Sequence, residues 1–434
     1  MGKTDIVNPL RIRPLADEFA FLFESPEPQR LFAYSPGLAR LQDGRLVATI
    51  DLGGPGAENL PGVKWEHGEM DWSWQGRIYT SNDGGQSWTF RSPFPFMHAR
   101  PFSAGGSVYV LGQAGDLMII RSDDNGDTWS DPVRLTNGEH WHQAPCNVHY
   151  ANGCVYLVME KRTRSQVLSW PVGDMAPVLM RARLVADLTR RESWTFASEL
   201  PFYEAVDEEA MDYFGIPFYA TDPAHGTMVA PGRHCAPMGW LEANVVQFSD
   251  PAHLWHDAKQ KTFHLWMRSH AGNTSYACIA KVIEHGSRPG TGAMTTTLEK
   301  APSGKTMLYV PCPGGQMKFH VVHDEVTGLY WLLSTQAVDS MIRPDLMPLD
   351  RYNLPNNERN RLQLHFSKNM IDWCFAGLVA TGPVETASRH YASLIIDGSD
   401  LALLSRSGDE NAKSPHDGNL ITFHRIKNFR GLAY

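Results

Sequence analysis

Apolar and polar residues alternate over short stretches along most of the chain, as in Ser107-Val108-Tyr109-Val110-Leu111 and Phe263-His264-Leu265-Trp266-Met267. Runs of this kind, bounded by Gly, Pro, Asn and Asp, predict β-strands joined by tight turns, and helical periodicity is scarce. Two of the turns share the pattern S-x-D-x-G-x-[ST]-W: Ser81-Asn82-Asp83-Gly84-Gly85-Gln86-Ser87-Trp88 and Ser122-Asp123-Asp124-Asn125-Gly126-Asp127-Thr128-Trp129. In each, the Asp carboxylate can accept backbone N–H groups of the turn, Gly takes the positive φ angle, and Trp covers the sheet beneath. The motif is therefore structural. A repeated turn implies a repeated β-unit, and the offset of 41 residues between Ser81 and Ser122 is about one four-stranded propeller blade. A worn third copy, Ser367-Lys368-Asn369-Met370-Ile371-Asp372-Trp373, keeps Ser and Trp without the Asp and Gly.

At 434 residues and 42% apolar content the chain can bury a large core, and six blades at this spacing use most of it. The expectation is one all-β domain over residues 1–434, a six-bladed β-propeller. The stretches from Pro201 to Pro237 and from Ile342 to Arg361 read as long inter-strand loops, where binding sites are commonly built. A net charge of −8 without a basic stripe argues against nucleic acid as a partner, although an acidic body can hold a basic pocket. The six Cys are scattered without metal-ligand spacing, which predicts reduced, buried thiols. No apolar run is long enough to span a membrane as a helix, and Met1-Gly2-Lys3-Thr4-Asp5-Ile6 is not followed by a signal-type hydrophobic segment. A cytoplasmic chain is expected, unless a leader has been removed.

The repeated turns resemble the Asp-boxes of the sialidase superfamily, which sit on the rim of a six-bladed propeller. Two further segments carry the same resemblance. His390-Tyr391-Ala392-Ser393-Leu394-Ile395-Ile396-Asp397-Gly398 is similar to the strand that begins with the nucleophilic tyrosine, which assigns that role to Tyr391. Tyrosine suits a 2-keto-acid sugar, whose anomeric carboxylate would repel the carboxylate nucleophile of most retaining glycosidases. A phenol with an ordinary pKa of about 10 then needs a nearby carboxylate to take its proton. Glu242, in Gly239-Trp240-Leu241-Glu242-Ala243-Asn244, matches the family's glutamate partner, and the next strand ends in Arg268, as the family's arginine-bearing strand does. The resemblance implies a clamp of arginines for the substrate carboxylate, since a guanidinium fork meets both oxygens at once. Arg268 is its first member here and Arg359 its second, with Arg361 the register alternative on the same strand face.

Two departures stand out. Tyr34, in Ala33-Tyr34-Ser35-Pro36-Gly37, occupies the place of the family's first arginine, and Arg406, in Leu403-Leu404-Ser405-Arg406, that of the glutamate which buttresses it. Arg406 is thus expected to supply the missing charge from the opposite wall. The acid/base carboxyl falls in Trp65-Glu66-His67-Gly68-Glu69-Met70-Asp71-Trp72-Ser73-Trp74, where Asp71 is nearest in register, with Glu69 and Glu66 as alternatives. The surrounding tryptophans could raise a carboxyl's pKa and bind sugar faces.

The resemblance implies a retaining exo-glycosidase acting on a terminal sialic acid or related acidic sugar, with an acidic glycan as partner and no metal or organic cofactor. Among the histidines, His140, His142 and His149 lack a carboxylate or cysteine at ligand spacing, while His234, His270, His320 and His390 lie near the proposed site residues. They keep open a lyase or unusual glycosidase acting on uronic acids through His and Tyr. A non-catalytic glycan-binding propeller is the third reading.

Overall fold

The computed structural model describes residues 12–66, 72–164, 171–206, 227–235, 238–270, 275–339, 342–349 and 358–434. Among these residues, six antiparallel sheets of four or five strands follow one another along the chain, in the arrangement of a six-bladed propeller, with two small two-stranded sheets besides. The first contains Phe32–Arg40, Leu46–Gly53, Gln75–Ser81 and Thr89–Phe94, and the second Met97–Ala104, Ser107–Ala114, Asp116–Ser122 and Val133–Arg134. The inner strand of the third is split into Trp141–His142 and His149–Ala151, both paired with Cys154–Arg162. Inner strands Gly239–Val246, His320–Asp324 and Arg389–Asp397 open the remaining blades. The last blade takes its outer strand, Ala20–Glu24, from the other end of the chain, pairing it with Leu420–Ile426 and closing the ring.

The apolar core is divided among the junctions between blades. Tyr156 and Val158 pack toward the fourth blade, whereas their neighbours Val155, Leu157 and Met159 pack toward the second. Period-2 alternation thus sends successive side chains of one strand into two different cores, and both faces of a blade are buried.

Each S-x-D-x-G-x-[ST]-W turn joins the third and fourth strands of its blade. Asp83 Oδ1 accepts the backbone N–H of Ser87 at 3.0 Å and the hydroxyl of Ser81 at 2.7 Å, and Asp124 repeats this with Thr128 at 2.9 Å and Ser122 at 2.8 Å. These donors hold both carboxyls down to about 2, with the Ser87 and Thr128 hydroxyls the main cause. Gly85 and Gly126 take φ of 93° and 88°. In the worn copy Asn369 Oδ1 accepts the N–H groups of Ile371 and Asp372, and Met370 adopts φ of 65° in place of glycine while burying its side chain completely.

Around the central channel, side chains of each inner region bond to the backbone of the next blade. The donors include Thr49 to Ala99 O, Arg100 to Val158 O, Gln143 to Ala243 O, Asn244 to Phe319 O, Lys318 to Ala392 O and Ser393 to Pro36 O. All six junctions are bridged. On one side of this belt the channel widens into a cavity of about 1570 Å³ reached by Arg100, Cys146, His320 and Ser393, and the proposed catalytic residues lie outside it.

Candidate active site

The inner strands carry irregularities that shape the site. Ladder pairing skips two residues between Tyr34 and Gly37, between Met97 and Arg100, between Leu241 and Asn244, and between His390 and Ser393. In each skip the first residue is left-handed: Ser35 (φ 41°), His98 (φ 53°), Glu242 (φ 61°) and Tyr391 (φ 50°). None of the four is glycine, so each β-bulge holds strain of about 1–3 kcal/mol that its surroundings must offset. The bulge turns two of these side chains, Glu242 and Tyr391, onto one spot although they lie 149 residues apart.

There the Tyr391 hydroxyl donates to Glu242 Oε1 at 2.6 Å. Arg268 Nη1 donates to Tyr391 Oη at 2.7 Å and to Glu242 Oε2 at 3.3 Å, and its Nε is anchored on the Gln316 carbonyl at 2.9 Å. Burial pushes the phenol up to about 12, with Arg268 opposing and Glu242 adding to the rise. The phenol is therefore protonated at neutral pH, with its hydrogen directed at Glu242 Oε1. For Arg268, burial alone would lower the pKa, but Tyr391 and Glu242 outweigh it and the net shift is upward.

Arg359 and Arg406 approach the same ring, their guanidinium carbons 5.6 Å and 5.4 Å from the Tyr391 centroid. Arg359 donates to His390 Nδ1 at 3.0 Å, and Arg406 stacks on Tyr34 at 4.2 Å while donating to the His416 carbonyl. Both are buried, and among the described residues neither has a carboxylate within ion-pair distance. Burial and the mutual repulsion of the two cations bring Arg359 down to about 9. The alternative, Arg361, is half-buried and pairs with Glu358 instead.

Tyr34 donates to Asp417 Oδ1 at 2.9 Å, and that oxygen also receives His416 Nδ1 at 2.7 Å. Where a first arginine was missing, the site thus has a Tyr34–Arg406 stack fixed by Asp417. Trp74 lies 5.0 Å from Tyr34, and backbone bonds of 2.8 Å in both directions tie it to Trp65, which closes the base of the segment proposed to hold the acid. Asp71 and Glu69 lie outside the described residues; Glu66 is described and exposed. Within Pro201 to Pro237, expected as a long inter-strand loop, the described residues instead form a single helical turn, Phe202–Ala205, and a hairpin of Thr227–Ala230 with Arg233–Cys235 that carries His234.

The other histidines take separate places. His390 is buried against Arg359, His320 lines the channel cavity and His270 ends the strand that bears Arg268. His142 meets His98 edge to face at 5.0 Å, and its pKa is lowered by burial, with Glu242 opposing. His98 was not singled out by sequence reasoning, nor were Trp74's partner Tyr34 as a stacking platform, His416, Asp417 or Lys318. A signal for the inner-strand residues exists: Met97-His98-Ala99-Arg100, His142-Gln143-Ala144-Pro145, Leu241-Glu242-Ala243-Asn244 and His390-Tyr391-Ala392-Ser393 all keep Ala in third place. Among the described residues no group of three or more His, Cys, Asp or Glu side chains could hold a metal ion.

Fold and site together define a six-bladed propeller with a tyrosine–glutamate–arginine centre. No protein-family model matches the chain, and no curated protein matches it in sequence. Solved structures do share its fold. A protein of unknown function from Dyadobacter fermentans is 12% identical with a TM-score of 0.53, covering 96% of this chain and 99% of that one. The Hadza microbial sialidase Hz136 is 14% identical with a TM-score of 0.50, covering 94% of this chain and 68% of that one. A Trypanosoma rangeli sialidase mutant displaying trans-sialidase activity is 12% identical with a TM-score of 0.51, covering 97% of this chain and 60% of that one. The chain has the fold of the sialidase-like propellers.

Proposed function

We propose that this protein is a retaining glycosidase that removes a terminal sialic acid or related acidic 2-keto sugar. The observation that carries the reading is the hydrogen bond of 2.6 Å from Tyr391 to Glu242 beside two buried arginines that, among the described residues, have no carboxylate within ion-pair distance. Arg359 and Arg406 would meet the substrate carboxylate, and Arg268, which already holds the pair, would complete the positive environment and stabilise the phenolate as it forms. Tyr391 Oη would attack the anomeric carbon while its proton passes to Glu242, and Asp71 would protonate the leaving oxygen. Water, deprotonated by Asp71, would then cleave the tyrosyl–sugar bond as Glu242 returns its proton to Tyr391. The glycan is the partner this reading requires, and no step in it calls for a cofactor.

The test is release of fluorophore from a 4-methylumbelliferyl sialic acid glycoside by wild type and Tyr391→Phe, with NMR of the first sugar anomer formed. Release with retained configuration, lost in the variant, is expected. Ultraviolet-absorbing product from uronic-acid oligosaccharides would instead establish a lyase. Tight sugar binding without turnover, unchanged in Tyr391→Phe, would establish a binding propeller.

A further inference from the structure

Each inner-strand bulge leaves two residues without a ladder partner, so their carbonyls need acceptor-side satisfaction from elsewhere. The preceding blade supplies a donor to the second of the two carbonyls in every case. Ser393 Oγ donates to Pro36 O at 2.6 Å, Thr49 Oγ1 to Ala99 O at 2.6 Å and Gln143 Nε2 to Ala243 O at 2.9 Å. At the Tyr391 bulge the donor is different: Lys318 Nζ reaches Ala392 O at 2.6 Å, Ser393 Oγ at 3.3 Å and Tyr391 O at 3.5 Å. Hydroxyl or amide serves the other three bulges, and an ammonium serves only the one that bears the proposed nucleophile.

From this we infer that Lys318 is a positioning residue for Tyr391, holding its left-handed backbone from the neighbouring blade and placing a positive charge beneath the Tyr391–Glu242 pair. Lys318 is 1% exposed and has no carboxylate within ion-pair distance among the described residues, so its charge costs solvation that a neutral donor would avoid. The groups nearest to it electrostatically are Cys146, Glu242 and Arg100. Of these, Glu242 is the group that accepts the Tyr391 hydroxyl, so the ammonium stands close to both members of the pair. Lys318 also fixes the Tyr391 carbonyl against rotation of the bulge, which would move the hydroxyl away from Glu242. Lys318 touches no substrate in this scheme.

The inference rests on the catalytic reading of Tyr391, so its test has one arm that does not need turnover. Lys318→Gln supplies the same kind of neutral donor that Gln143 gives its own bulge, and is expected to fold. In protein labelled at tyrosine Cζ, the resonance missing from Tyr391→Phe identifies Tyr391, and Lys318→Gln is expected to shift it at pH 7 by more than its linewidth. Where wild type hydrolyses the sialoside, kcat of Lys318→Gln is expected to fall about 10–100-fold with KM changed by less than about threefold, and Lys318→Arg to retain more activity than Lys318→Gln. An unmoved resonance, or wild-type kcat in Lys318→Gln, overturns the inference. A wild type without hydrolytic activity defeats the glycosidase reading, and the resonance still decides the role of Lys318. Should Lys318→Gln fail to fold, Lys318→Arg is tested by the same resonance, which must then stay within its linewidth of wild type while the Ser393→Ala resonance moves.

Discussion

Replacing Arg406 with Gln tests whether the site recognises a carboxylate through the arginine that stands opposite Tyr34. The guanidinium carbon sits 4.2 Å over the Tyr34 ring and the group is tethered to the His416 carbonyl, so its direction is set before a ligand arrives. A charge-assisted hydrogen bond to a bound carboxylate is worth about 1.5–3 kcal/mol, which corresponds to roughly a 10–150-fold loss in kcat/KM for an acidic sugar. The carboxylate is charged in both ground and transition states, so most of the loss belongs in KM. Gln keeps a donor for the His416 carbonyl, and loss of the cation–π contact, about 0.5–2 kcal/mol, registers in thermal stability instead of in catalysis. The assay is hydrolysis of the methylumbelliferyl sialoside across substrate concentration, with circular dichroism to verify folding. Arg361→Gln is the control: its guanidinium pairs with Glu358, and kcat/KM should stay within about threefold of wild type. Unchanged kcat/KM in Arg406→Gln, or an equal loss in Arg361→Gln, would refute the reasoning.

Glu242→Gln cannot accept the tyrosine proton, and kcat should drop by at least about 10²-fold while the protein stays folded, as read by single-turnover kinetics. Asp83→Ala or Asp124→Ala removes acceptors from several donors of one turn and should lower stability by about 1–2 kcal/mol in urea unfolding, with the catalytic constants unchanged. Met370→Gly relieves a left-handed strain of about 1–2 kcal/mol but removes a fully buried side chain worth about 2–5 kcal/mol, so a net loss of stability is expected despite glycine's fit to the turn consensus. His424 is buried between the Ala16 carbonyl and Thr422, and burial lowers its pKa to about 4. The unfolded chain takes up that proton below about pH 6.5 and the folded one only near 4, so the contribution is complete above 6.5 and falls away between these values. His424→Gln should flatten part of the acid limb of stability, measured by thermal melts from pH 7 to 4.

The architecture was legible because its signals are local. A turn such as Ser81 to Trp88 needs only its own carboxylate, glycine and tryptophan, and its recurrence at Ser122 counts out blade length without reference to the rest of the molecule. The segments around Glu242 and Tyr391 were legible by resemblance, and Arg268 by its place on the following strand. Tertiary structure alone decided which arginine faces the site: alternation would put Arg359 and Arg361 on one strand face, but the strand begins only at Arg361, and Glu358 claims Arg361. It also decided that Tyr34 would carry Arg406, since the stack depends on Asp417 and His416 arriving from the other end of the chain. The left-handed bulges were equally invisible, because Ser35, His98, Glu242 and Tyr391 have no glycine's freedom to announce them. Their conformation persists because side chains from neighbouring blades satisfy the backbone groups that the bulges leave unpaired, and that compensation exists only once the ring of blades has closed.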